Sequence, residues 1–228
     1  MGFEEHAVAS RASGSGRVLS TNVGRAEQNS AKPTMTGIHK RPVDRVEVRA
    51  PGPKRGGLGS GVLGDFIGDR DNHGGDDQAV YAVAREELDW WGERLGRSLA
   101  DGMFGENLTT VGIDVDHAVV GTRWSVGSAV LEVTGPRIPC GTFRVHMAER
   151  GWLKTYVAHG LSGAYLRVVE PGVIRPGDVV EVGAAPAHGI EVPTVFRAFY
   201  DDQDAMRAVV RAGVLNSVEH ERMAAKLA

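Results

Sequence analysis

The stretch Ala118–Val133, AVVGTRWSVGSAVLEV, decides the fold: short runs rich in valine, closed off by Gly121 and Gly127. Runs of this kind, ended by residues free to take positive φ, read as short strands joined by tight turns. Tyr165–Val182, YLRVVEPGVIRPGDVVEV, repeats the pattern. Glycine explains how general it is: 31 of 228 residues is nearly twice the usual share of about 7%, and the glycines are dispersed rather than tandem. Many strands with tight turns close into a barrel or stack into a sandwich.

Working outward, residues 1–16 are acidic and then polar and read as a disordered leader. RVLSTNVG (17–24) is the first strand, 30–43 is extended chain and turns, and RVEVRA (45–50) is a second strand. Two glycine-rich stretches, 51–61 and 68–75, bracket a short apolar element. The segment DQAVYAVAREELDWWGERLG (77–96) is predicted as one helix, capped by Asp76 and stopped by Gly96. Val80, Val83, Ala84, Leu88, Trp91 and Leu95 would form its apolar stripe. Strands return from Asn107 to about Val182, interrupted by a helical candidate near 144–160. Beyond AAPAHG (184–189) three short helices are expected, the last opened by a capping box of Asn216 and Glu219. The predicted organisation is a leader over 1–16, a β-barrel domain over 17–184 and a helical appendage over 185–228.

With 42% hydrophobic and 24% charged residues the composition is that of a globular protein, and a net charge of −3 gives no reason to expect nucleic acid. No apolar run approaches the roughly 18 residues of a spanning helix, and residues 1–16 lack the apolar core of a signal peptide. The chain is therefore expected in the cytoplasm, without a membrane partner.

Cys140 is the one cysteine. A single thiol excludes an internal disulfide, a four-thiolate zinc site and an iron–sulfur cluster. It leaves an inert buried thiol, a nucleophile or one soft ligand to a metal. Pro136 and Pro139 stop helix and ladder alike, so the thiol sits on a rigid loop, and Arg137 favours its thiolate. His73-Gly74-Gly75 runs into the expected helix and offers backbone N–H groups to an anion, although two glycines before a helix are most often a turn. In Gly102–Gly112, Glu106, Asn107, Thr109 and Thr110 gather hydrogen-bonding groups suited to a heterocycle or a phosphate, and equally to a polar turn before a strand. Lys40 is the one member of the basic set 40–55 singled out as an anion contact. Walker, G-x-G-x-x-G, H-E-x-x-H and G-x-S-x-G signatures are missing.

Four segments in order, TGIHKRPV (36–43), HGGDDQAVYAVAREELDWW (73–91), GMFGENLTT (102–110) and GPRIPC (135–140), resemble the MOSC domain, in its standalone bacterial, YiiM-like branch. The resemblance runs from about Arg17 to the end, including the helical tail. It implies a mainly β (α+β) fold, a MOSC-type barrel with peripheral helices and a small C-terminal three-helix appendage. It also implies a pocket for the molybdenum cofactor, with Cys140 as metal ligand and catalytic residue. Lys40, His73, Gly74, Gly75, Asn107, Thr109, Thr110 and Arg137 are the implied cofactor-binding residues. The chain departs from the pattern at Gln78, where lysine is commoner, and at Asn72, where a basic residue or second histidine is common. The implied activity is reduction of N-hydroxylated compounds such as hydroxylaminopurine, an oxidoreductase reaction that detoxifies such bases. One cysteine holds no cluster and no flavin motif is visible, so electrons would come from a separate reductase. A sulfur carrier or molybdenum-cofactor-binding module, using a Cys140 persulfide or thiolate without turnover of its own, is the competing reading. The tail is equally a docking surface, a homodimer contact or a structural appendage.

Overall fold

Valine-rich segments supply most of the strands of the computed structural model, which describes residues 15–228. The strands are β1 (Ser15–Gly24), β2 (Glu27–Gln28), β3 (Met35–Thr36), β4 (Lys40–Val43), β5 (Val46–Val48), β6 (Val80–Ala84), β7 (Leu108–Val111), β8 (Arg123–Val126), β9 (Ala129–Pro136), β10 (Ala164–Glu170), β11 (Gly172–Ile174) and β12 (Val179–Val182). The helices are α1 (Arg85–Leu95), α2 (Gly141–Met147), α3 (Trp152–His159), α4 (Val192–Phe199), α5 (Gln203–Ala212) and α6 (Ser217–Leu227). Seven strands close a barrel in the order β1-β12-β8-β9-β10-β6-β7 and back to β1, with β4 attached beside β1. This is the α+β barrel expected from the sequence.

β1 is the seam. Its first residues pair with β12, its middle with β7 and its last four with β4, and a register shift between Val18 and Ser20 lets one strand serve all three. Residues 1–14 of the expected leader lie outside the described residues, while Ser15 and Gly16 already pair with Glu181 and Val180. Period-two burial is clearest in β9, and the barrel interior is filled by Val18, Val80, Trp124, Leu131, Leu166 and Val180.

The long helix expected over 77–96 is a strand followed by a shorter helix. Asp76–Gln78 make one 3₁₀ turn, Val80–Ala84 form β6, and the helix starts only at Arg85. β6 is buried at every residue because Val80, Ala82 and Ala84 face the barrel core, Tyr81 and Val83 pack into a second core outside it, and the strand pairs parallel with β7 on one side and antiparallel with β10 on the other. A strand covered on both faces has a continuous apolar run, which periodicity cannot tell from a buried helix. Leu88 and Trp91 do belong to α1, and Gly96 closes it in the left-handed conformation. The helical candidate near 144–160 is two helices, α2 and α3, split at Ala148–Gly151.

Outside the barrel, Trp91, Phe104, Phe143, Trp152, Tyr156 and Phe196 make a second, aromatic core. Most of its rings meet edge-on or tilted, as Trp91–Trp152 do at 4.6 Å and Phe104–Phe143 at 5.3 Å, while Trp91 and Tyr156 stack. The tail has its own core of Val195, Met206, Val209 and Met223, joined by Val120 from the barrel side, while Phe196 of α4 enters the aromatic core. Asp202 caps α5, and Asn216 caps α6 by accepting from the Glu219 N–H at 3.0 Å. Among the described residues no helix is long and apolar enough to cross a membrane.

Candidate functional site

Cys140 ends a four-residue connection between β9, which stops at Pro136, and α2, for which it is the N-terminal flanking residue. Its half-buried thiol faces a cleft of about 740 Å³, counted to the open mouth. The walls come from the β3–β4 turn, the loops around residues 60–74, Tyr81 at the start of β6, the Phe104–Asn107 segment and Tyr165 of β10.

Burial alone would raise the Cys140 pKa. Hydrogen bonding from His73, the Arg137 charge and the Phe143 backbone N–H outweigh it and bring the thiol down to about 6. His73 and Cys140 lie 67 positions apart in sequence and are joined by the fold. Arg137 is itself buried, 6% exposed, with its guanidinium 3.7 Å from the Phe143 ring centre and Nη1 donating to the Phe104 carbonyl at 2.5 Å. It acts on the thiol as a fixed charge held by aromatic faces.

Behind Arg137 stands Glu106. Its buried carboxylate group accepts from the backbone N–H groups of Gly102 (2.5 Å) and Phe104 (2.8 Å) and from the Thr109 hydroxyl (3.0 Å). Burial, opposed by these bonds, pushes its pKa up to about 7. Glu106 therefore fixes the turn whose Phe104 carbonyl anchors Arg137.

Asp65 ties the other wall. It pairs with Lys40 and accepts from the Gly24 N–H (2.8 Å), the Ser60 hydroxyl (2.9 Å) and the Asn107 side-chain amide (3.2 Å). Lys40 and Asp65 side chains are 7% and 2% exposed. Lys40 lines the cleft, but the expected anion contact already has a counter-charge. One of its three ammonium protons goes to Asp65 and two remain for the cleft.

Six of the nine expected residues meet on this cleft: Lys40, His73, Gly74, Asn107, Arg137 and Cys140. Thr109 and Thr110 do not. They are fully buried in β7, where Thr109 bonds Glu106 and accepts from Asn22 at 3.2 Å. Gly75 is also off the cleft, and its need for glycine comes from packing: at φ 81° an added Cβ would sit 2.7 Å from the Lys54 backbone nitrogen. The helix N-terminus expected after His73-Gly74-Gly75 is a single 3₁₀ turn, and the Gly74 N–H is taken by Gln78 Oε1 at 3.0 Å. Asn72, the other point of departure, does not line the cleft but bonds Asp69, which does. Asp65, Tyr81, Phe104 and Tyr165 were not foreseen. Asp65 stood in the unassigned apolar element between the glycine-rich stretches, and the three aromatics had been given no site role.

The arrangement offers one thiolate near neutral pH, beside an imidazole and a fixed positive charge, in an open cleft. Among the described residues no group of three His, Cys, Asp or Glu is placed to hold a metal ion by itself. A metal here would need most of its ligands from a cofactor.

Comparison with known proteins follows the same lines. The MOSC domain family profile matches residues 69–181, a span that includes every expected site residue except Lys40. The uncharacterized protein YflK of Bacillus subtilis is 32% identical over 200 residues, 85% of each chain. A protein named reductase from Gibberella moniliformis is 28% identical over 69% of this chain and 33% of its own length. The crystal structure of YiiM from Geobacillus stearothermophilus superposes with a TM-score of 0.73 at 27% identity, covering 93% of this chain and all of that one.

Proposed function

The chain belongs to the MOSC domain family, in its YiiM-like branch, and from that premise we propose that it binds the molybdenum cofactor in the Cys140 cleft and reduces N-hydroxylated compounds. The observation that carries the proposal is the Cys140 thiol, facing the cleft with its pKa lowered to about 6 next to His73 and Arg137.

The cleft suits such a group in its donor set. A thiolate is a soft ligand for molybdenum already bound by the pterin's sulfurs. Lys40 is the lysine of the cleft wall for the cofactor's polar parts, while the Asn107 amide is already bonded to Asn22, Asp65 and the Tyr81 N–H. When bound, the cofactor supplies two-electron oxygen-atom chemistry. The chain's own residues set the conditions for it. Arg137 favours the Cys140 thiolate without giving up a proton, because a guanidinium stays charged at working pH, and the Phe104 carbonyl and the Phe143 face hold it in place. His73, at the thiol, can hold a proton at the cleft wall. The Tyr81 and Tyr165 rings, 5.1 Å apart, form part of the cleft wall.

The net reaction breaks the N–O bond of R–NHOH, takes up two electrons and two protons, and releases R–NH₂ and water. A chain with one cysteine holds no iron–sulfur cluster, so the two electrons come from a separate reductase. Turnover of benzamidoxime or hydroxylaminopurine by protein from a cofactor-producing host, with reduced methyl viologen as donor, tests this reading. Loss of turnover in Cys140→Ser is expected, and equal turnover in that variant would refute it.

Two contacts favour a second reading, a sulfur carrier with a Cys140 persulfide. The Lys40 charge is shared with Asp65 and the Gly74 N–H is taken by Gln78, which reduces the groups free for a phosphate. Labile sulfur on Cys140 in metal-free protein would decide for the carrier.

A further inference from the structure

β6 and β7 run from the Cys140 cleft, where Tyr81 and Asn107 lie, to a second and wider cleft, where Ala84 and Gly112 lie. This one has about 2050 Å³, counted in the same way to its open mouth. The first turn of α1, the loop over 112–119 and the segment leading into the helical tail bound it, a concave junction of the kind that takes ligands.

Its charge is one-sided. Glu86, Glu87, Asp114, Asp116 and Glu191 line it, and among the described residues no lysine or arginine does. Two of the carboxyls are buried: Glu87 is 8% and Asp116 5% exposed. Glu87 Oε1 lies 2.7 Å from His159 Nε2, and Asp116 accepts from the Gly163 N–H at 2.7 Å. Burial raises Glu87 to about 8, while burial and then the Glu87 charge raise Asp116 to about 7. Buried acids are ordinarily matched by a lysine or an arginine, and here imidazoles are the only basic side chains in the wall.

An acidic wall alone is often just a solvated face. The second observation is independent of charge. Thr122 belongs to the same wall, is 3% exposed, and its Oγ1, which can accept from a cationic N–H, has no hydrogen-bond partner among the described residues. Unpaired buried polar atoms are costly, and a ligand that reaches them recovers that cost. A metal ion is a poor candidate, since no set of three ligating side chains converges in the described residues.

We propose that this second cleft is a binding site for a small organic cation, an ammonium or amidinium compound, recognised by Glu87, Asp116 and Thr122 and separate from the Cys140 cleft. Carboxyl groups accept from the cationic head, and the Thr122 hydroxyl supplies one more acceptor at the buried end.

Isothermal titration of the full chain with benzamidine and with 1,4-diaminobutane tests it, with neutral benzamide as the isosteric control. Saturable binding of a cation with a Kd of about 1 mM or tighter is expected, with no saturable binding of benzamide. Asp116→Asn and Thr122→Val should each weaken cation binding, about tenfold for the first and severalfold for the second, and Cys140→Ser should leave it unchanged. Circular dichroism checks that each variant is folded. If Asp116→Asn does not fold, the near-isosteric Thr122→Val decides. Absence of saturable binding by both cations, equal binding of benzamide, affinity unmoved in Thr122→Val, or loss of binding in Cys140→Ser would overturn the proposal.

Discussion

Replacing His73 with glutamine should raise the pH at which Cys140 becomes reactive. The thiol's ordinary value is 9.0 and the fold brings it to about 6. That difference is about 4 kcal/mol in favour of the thiolate. Burial opposes it, so hydrogen bonding from His73, the Arg137 charge and the Phe143 N–H must together supply more than that sum. At pH 7 the wild-type thiol is roughly nine-tenths ionised, against about one-hundredth for an unperturbed one. His73→Gln removes the largest of the lowering contributions, so the midpoint should rise by about one pH unit or more. Because the chain has one cysteine, the rate of iodoacetamide labelling of metal-free protein, followed by intact mass from pH 5 to 10, reports this thiol alone. Arg137→Met should move the midpoint in the same direction. A wild-type midpoint near 9, or a midpoint unmoved in both variants, would refute the electrostatic account. The linkage has a definite sign. A depressed thiol pKa contributes stability that is fully present above the unfolded value near 9 and is lost as pH falls through about 6.

Asp65→Ala should destabilise the protein by about 3–5 kcal/mol in urea unfolding, because it leaves the buried Lys40 ammonium unpaired and strands the donors of Gly24, Ser60 and Asn107. Lys40→Met combined with it should recover part of the loss. Glu87 has the opposite linkage to Cys140: its raised pKa gives stability that is present below 4.5 and lost as pH rises through about 8. Melting temperature should therefore fall less steeply between pH 5 and 8.5 in Glu87→Gln than in the wild type. Phe196→Ala should cost about 3–5 kcal/mol by opening a cavity where the tail meets the aromatic core, although Phe196 lies outside the barrel strands.

Strand content, the strand end at Pro136 and the three tail helices were legible because turn glycines, prolines and caps act locally. The 80–84 run was misread because its signal is burial on both faces, which a single chain does not encode as a period. Cys140 and Arg137 stand three residues apart, so their electrostatic coupling could be read directly. Its partner His73 reaches the thiol only through the closed barrel. Asp65 was invisible for the same reason: Gly24, Lys40 and Asn107, from three segments far from it in sequence, give it its role. Thr109 and Thr110 sit in a motif that looks like a binding segment, and their burial shows them to be part of the sheet that positions Glu106 and Asn107.

The central claim is that Cys140 is the protein's ligand to a molybdenum cofactor. Its most direct test is the molybdenum and pterin content of protein purified from a cofactor-producing host, wild type beside Cys140→Ser. Near-equimolar molybdenum and pterin in the wild type, with the metal lost in a folded serine variant, is the predicted result. Equal metal in both proteins, or neither metal nor pterin in the wild type, would contradict it.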